Sequence, residues 1–181
     1  MKITYSLDQN DYLTNQLYQA SINKSVSDTR RKSVVFVVLL FLLIAGITYD
    51  KGNQLQSYLF IAMALVSLFL YPIYLRNHYK KHYTKYIIET YKNRFGQTSE
   101  VLFEGHQLSC TSNNSESKFN FNLIEEIHEI DNYIFVKLNS SGNLIIKKSE
   151  IPNLSDLIAY LKDLAKQQNV NYIEAFNWKW K

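Results

Sequence analysis

His78 and His82 stand four residues apart, a spacing that on a helix brings two imidazoles to one face, as a divalent metal would require. No Asp or Glu accompanies them in that stretch, and Lys80 and Lys81 would repel a cation. The pair therefore reads as surface histidines. Glu125, Glu126 and Glu129 resemble a carboxylate cluster, but a solvated turn accounts for them without a general acid–base role. Cys110 is the only cysteine, so neither an intrachain disulfide nor a Cys-based zinc site can form. It has no nearby His in sequence and falls in a strand-like stretch, where a packing role fits best. The five glycines form neither G-x-G-x-x-G nor a P-loop. The expectation is a protein that is not an enzyme and has no cofactor, no metal and no catalytic residue.

The remaining candidates are basic residues, and their placement is informative. Residues 1–95 carry twelve Lys/Arg against five Asp/Glu, and residues 96–181 carry eight against eleven. The basic excess flanks two uncharged, strongly apolar runs and does not line a recognition helix, so nucleic acid is not the expected partner. Arg30, Arg31 and Lys32 precede the first run; Arg76, Lys80, Lys81 and Lys85 follow the second. These seven are the candidate contacts to anionic lipid head groups.

The runs that position them extend over residues 33–49 and 55–75, joined by a short DKGNQ turn. At 1.5 Å per residue, about 20 residues cross a hydrocarbon core of roughly 30 Å. The second run meets that length; the first is slightly short, and Lys32 and Asp50 can snorkel to the head groups. In hydrocarbon only helices satisfy their own backbone hydrogen bonds locally, so both runs are expected to be helical. A buried hairpin in a soluble protein would need a shell of amphipathic helices, and the sequence shows none. Thirty-two mostly polar residues precede the first run, which argues against a cleaved signal peptide. Basic residues on both flanks, with one Lys offset by Asp50 in the loop, put both termini on the cytoplasmic side of the cell membrane. Pro72 is expected to kink the second helix. With no ionisable residue inside either span, an anchor is expected and not an ion path.

The first segment, 1–32, opens with Ile3, Tyr5 and Leu7 alternating with polar residues, as in a strand, and continues as a helix from an Asp8 N-cap to about Ser25. With both ends on one side, Ile3–Leu7 can pair with an edge of the C-terminal sheet. Residues 76–95 read as a basic, Tyr-rich helix stopped by Gly96. Over 96–181 the period changes to two. Candidate strands are 100–104, 107–111, 118–122, 127–130, 133–138 and 144–148, separated by E-G-H, S-N-N-S, D-N and S-S-G-N turn signals. Leu154, Leu157, Ile158, Leu161 and Leu164 then recur at helical spacing. The tail, NVNYIEAFNWKWK, is aromatic without a clear period. Fold class is thus α+β: a transmembrane helical hairpin with a small antiparallel barrel or sheet closed by a C-terminal helix.

The order of these parts resembles the YcxB-like family of small bacterial membrane proteins. The closest stretch is about Val101 to Lys166, with FNFNLIEEIHEIDNYIFVKL similar to the family's strand, short turn and next strand, and IIKKSEIPNLSDLIAYL similar to the strand entering the closing helix. The family commonly carries a Trp near the start of its turn, where this chain has Phe121, Asn122 and Leu123. The resemblance implies a pleckstrin-homology (PH)-like barrel tethered at the inner membrane face, and it brings no enzyme activity with it. The turn corresponding to a phosphoinositide-binding hairpin, Phe103-Glu104-Gly105-His106, is acidic to neutral, so phosphoinositide binding does not carry over.

The expected function is a membrane-anchored binding module at the cytoplasmic face, with the lipid bilayer and either a protein partner or a second copy of itself as partners. The alternatives are an anionic-lipid surface sensor working through the basic stem, and an accessory subunit of a transporter or envelope enzyme.

Overall fold

The computed structural model describes residues 1–112, 115–139 and 142–181, with Ser115 as backbone only. The Asn113-Asn114 and Ser140-Ser141 turn signals lie outside the described residues. Two compact units emerge: Met1–Asn15 with Tyr86–Lys179, and Gln16–Lys85 with Trp180–Lys181.

In the first unit, alternation makes β1 (Lys2–Ser6) a half-buried strand with Ile3 and Tyr5 in the core. It pairs antiparallel with β2 (Thr98–Glu104), Ile3 opposite Val101 and Tyr5 opposite Ser99. The expected pairing of the N-terminal strand with the C-terminal sheet is therefore present. Strands β3 (Gln107–Ser112) and β4 (Ser115–Asn120) complete a four-stranded antiparallel meander in the order β1-β2-β3-β4. The two-residue turn from β2 into β3 contains Gly105 at φ +56°, a left-handed conformation that glycine adopts without strain.

A second sheet holds β5 (Ile124–Glu129), β6 (Tyr133–Leu138), β7 (Gly142–Lys147) and β8 (Asn171–Glu174), in the order β7-β6-β5-β8. Strands β5, β6 and β7 are antiparallel neighbours, whereas β8 runs parallel to β5 with Ile127 opposite Tyr172. Part of the tail that showed no period is thus a strand. It has only four residues and lies at an edge, too short for an alternation to register. The final helix numbered in this unit, α4 (Leu154–Gln168), buries Leu157, Leu161, Leu164 and Ala165 and packs against β5 and β8. Its Tyr160 meets Phe103 of β2 edge to face at 5.5 Å. The chain is therefore α+β, with two four-stranded sheets and a closing helix.

Helix α1 (Gln9–Ile22) starts in this unit. Asp8 Oδ1 accepts the backbone N–H groups of Asn10 and Asp11, and Asp11 Oδ2 reaches back to the Asp8 N–H at 2.8 Å, a reciprocal cap. The expected helix to Ser25 instead ends at Ile22. Asn23 takes an extended conformation and caps a new helix, its Oδ1 accepting from the N–H groups of Ser25 and Val26.

That helix, α2 (Lys24–Asp50), starts well before the apolar run and carries Arg30, Arg31 and Lys32 within its regular turns. After Gly52, at φ +80°, the chain returns as α3 (Gln54–Tyr91), which runs on through Pro72 and the basic stem. At 38 residues it is about 57 Å long. A 3₁₀ turn, Lys92–Arg94, and Gly96 at φ +69° end the stem where expected. Buried small residues Ala45, Ser57 and Ala64 lie along the hairpin, and Ser57 Oγ donates to the Ala45 carbonyl at 2.8 Å. Both helices are long and apolar enough to cross a membrane. Their apolar side chains are mostly exposed, Phe36 at 67%, Phe69 at 75% and Leu55 at 76%. A helix of a soluble core would bury them.

Candidate membrane-interface site and buried ion pairs

The seven basic residues sit on the polar ends of α2 and α3. Arg31, Lys32, Arg76, Lys80, Lys81 and Lys85 are exposed, whereas Arg30 is half-buried. Within the hairpin unit, the Arg30 guanidinium lies 4.6 Å from the centre of the Trp180 ring and 5.8 Å from that of Tyr79. It also donates to the Lys181 carbonyl. Trp180 is also held by α3: its Nε1–H donates to the Arg76 carbonyl at 3.1 Å, and its ring meets Tyr83 edge to face at 6.5 Å. Helix periodicity explains the set, because Arg76, Tyr79 and Tyr83 recur three and four residues apart on α3. Arg30 precedes the first uncharged run by three residues and Arg76 follows the second directly. This patch of cations and amphipathic rings lies at the ends of both apolar stretches, with the composition of a membrane–water interface.

His78 stacks on Tyr74 at 5.7 Å and meets Tyr79 edge-on, and His82 tilts against Tyr83. No group of three or more His, Cys, Asp or Glu side chains among the described residues could hold a metal. Cys110 is on β3 opposite Val101, and burial pushes its thiol up to about 11. It is thus a thiol at neutral pH, whereas a nucleophile needs the thiolate.

The glutamate triplet reads differently in three dimensions. Glu125, Glu126 and Glu129 lie on β5, not in a turn, and Glu129 is 3% exposed. A buried carboxylate needs partners. Glu129 has two: Lys148 Nζ donates to Oε1 at 2.6 Å, and the Tyr172 hydroxyl of β8 donates to Oε2 at 2.5 Å. Glu125 and Glu126, half-exposed, face Lys137. The expected solvated turn is corrected on this point, because parallel addition of β8 covers the end of β5.

A second buried carboxylate repeats the chemistry. Asp11, 1% exposed, accepts from the Tyr133 hydroxyl at 2.6 Å and from Lys147 Nζ at 3.1 Å. Glu150 lies 3.5 Å from Lys147 and accepts the Ser6 N–H at 2.7 Å. Burial, then the hydrogen bond to the carboxylate, raises the pKa of Tyr133, and the same order of causes raises that of Tyr172. A tyrosine acting as a general base near neutrality needs the opposite shift. Burial alone would lower Lys147, but the Asp11 hydrogen bond and the Asp11, Asp8 and Glu150 charges outweigh it and raise it. Consecutive Lys147 and Lys148 thus serve two different carboxylates, one on the N-terminal segment and one beside β8. Lys147 ends β7, whereas Lys148 opens the 3₁₀ turn that follows it, Lys148–Glu150, and nothing in the sequence set the pair apart.

The chain matches no family model, no curated protein and no solved structure.

Proposed function

We propose that this chain is a non-enzymatic interaction module, anchored in a membrane by α2 and α3 with both termini on the cytoplasmic side. The observation that carries this reading is the pair of exposed apolar helices bounded by Arg30–Lys32 and by Arg76–Lys85. The two sheets and the closing α4 support a PH-like reading of the other unit, in keeping with the resemblance to YcxB-like proteins. That unit supplies the binding surface for a protein partner or a second copy, and the hairpin concentrates it at the bilayer. The test is mild-detergent purification of the full-length protein beside a hairpin-only version of residues 16–95, with mass spectrometry of what accompanies each. A partner retained by the full-length protein alone is the expected result. Identical, partner-free preparations would refute the binding-module reading.

A second reading, a sensor of anionic lipid, rests on the six exposed basic side chains at the helix ends. Each contributes about 1 kcal/mol near an anionic leaflet. Neutralising Lys80, Lys81 and Lys85 together should then weaken binding to anionic vesicles and flatten its salt dependence; binding that is unaffected would remove this reading.

A further inference from the structure

Arg30 is the half-buried member of the basic set at the hairpin ends, and its charge is already engaged. Its guanidinium faces the Trp180 and Tyr79 rings and donates to the Lys181 carbonyl, while Trp180 is fixed in turn by the Arg76 carbonyl and Tyr83. The engagement is incomplete. Arg30 Nε is buried and has no hydrogen-bond partner among the described residues, and a buried donor left unmade is unfavourable. A guanidinium presents its donors as a planar fork that matches two oxygens of a phosphate, a geometry that ring faces do not satisfy. Arg31 and Lys32, next to it on α2, and Arg76 on α3, whose carbonyl holds Trp180, are exposed, so an anionic phosphate there would meet further positive charge.

We propose that Trp180 is a latch on the ends of α2 and α3 that anionic lipid releases, the lipid phosphate replacing Trp180 and the Lys181 carbonyl on Arg30. This rests on the lipid-sensing reading and specifies its moving part. In phosphatidylcholine bilayers Trp180 stays docked. Phosphatidylcholine carries the same phosphodiester, but its choline ammonium neutralises it; phosphatidylglycerol keeps its negative charge, so its phosphate gains both the bidentate pair and the neighbouring cations, and the indole leaves its seat. Indole favours the interface in either state, so release frees the tail segment without requiring Trp180 to enter bulk water.

The experiment uses the full-length protein with Trp178→Phe, which leaves Trp180 as the only tryptophan, in nanodiscs of phosphatidylcholine alone or mixed with phosphatidylglycerol. Acrylamide quenching and the emission maximum report how well the indole is covered. Difference spectra between the natural protein and Trp180→Phe supply the same readout if Trp178→Phe does not fold. Expected results are low quenching in phosphatidylcholine, a steeper quenching slope and a changed emission maximum with phosphatidylglycerol, and a steep slope in both lipids for Arg30→Gln. Arg30→Lys keeps the charge without the planar fork and should lose the response to phosphatidylglycerol. Quenching in Arg30→Gln equal to that of the natural protein in phosphatidylcholine would overturn the latch. A natural protein that stays covered in phosphatidylglycerol while Arg30→Gln is uncovered would overturn its release by lipid. Failure of the lipid-sensing reading itself is seen separately, as vesicle binding insensitive to loss of Lys80, Lys81 and Lys85.

Discussion

Asp11 shows how one buried side chain can hold a distant segment. It caps α1, accepts the Tyr133 hydroxyl and pairs with Lys147, so three parts of the first unit meet at one carboxylate. Replacing it with alanine would leave the Lys147 ammonium without its nearest partner and Tyr133 without its acceptor. Lys147 is partly exposed and keeps Glu150 at 3.5 Å and Asp8 at 3.9 Å, so the loss falls below the about 3–5 kcal/mol of breaking a fully buried pair. Asp11→Ala should therefore lower the thermal midpoint of the sheet unit and speed amide exchange in β1, as read by mass spectrometry; unchanged exchange would remove Asp11 from this role. Asp11→Asn, which keeps an acceptor, should fall between. The tyrosines define a pH window. Tyr133 and Tyr172 have pKa values raised above their ordinary 10.0. Below about pH 10 each is protonated in both folded and unfolded chains and its contribution is complete. As pH rises beyond that, the unfolded chain ionises first and stability falls. Tyr172→Phe should reduce this alkaline loss while weakening the attachment of β8 at neutral pH. An unaltered profile of stability between pH 9 and 12 would contradict the assignment. Neither carboxylate cluster was legible beforehand, because the partners of Glu129 lie 19 and 43 residues away and the Tyr133 and Lys147 partners of Asp11 lie 122 and 136 residues away.

At the scale of elements, what could be read in advance depended on length and period. Strand β6 occupies the expected 133–138, and α4 follows its leucines. The apolar runs were equally plain, yet the helices that contain them extend beyond them, since a helix propagates into polar residues once nucleated and capped. Asn23 decides where α2 begins, a local side-chain matter that apolar periodicity does not carry. The contact between α2 and α3 was also obscure, for it depends on small residues and no Gly-x-x-x-Gly motif. Gly46 is exposed, and Ala45 beside it is the buried residue, accepting through its carbonyl from Ser57. Interhelical hydrogen bonds of this kind contribute about 0.6 kcal/mol in bilayers. Ser57→Ala should thus loosen the hairpin by that small amount, while Ser57→Phe, which also overfills a buried position, should do far more. Cysteine crosslinking between α2 and α3 in bilayers would show the order; equal crosslinking in all three proteins would mean that Ser57 is not in the seam.

Connectivity constrains the whole molecule. Strand β1 precedes α2 and strand β2 follows α3, and they are hydrogen-bonded neighbours over Lys2–Ser6 and Thr98–Glu104. A sheet cannot form through a bilayer, so the chain between them must cross an even number of times: twice with both helices, or not at all. One helix spanning while the other lies on the surface would break the β1–β2 pairing. In the proposed topology charge selects the side, since Arg30–Lys32 and Arg76–Lys85 flank the outer ends of the pair while the connecting turn has Asp50 against Lys51. The topology predicts distinct behaviour for single cysteines placed in a Cys110→Ser background, the only native thiol being removed. Lys51→Cys should react with an impermeant maleimide in intact cells. Lys81→Cys should react only after the cells are opened. Labelling of both positions from the same side would show that the helices do not cross, and the reverse sidedness would show that the basic flanks do not set the orientation. The two failures are distinguishable, and only the first would remove the membrane anchor from the proposed function.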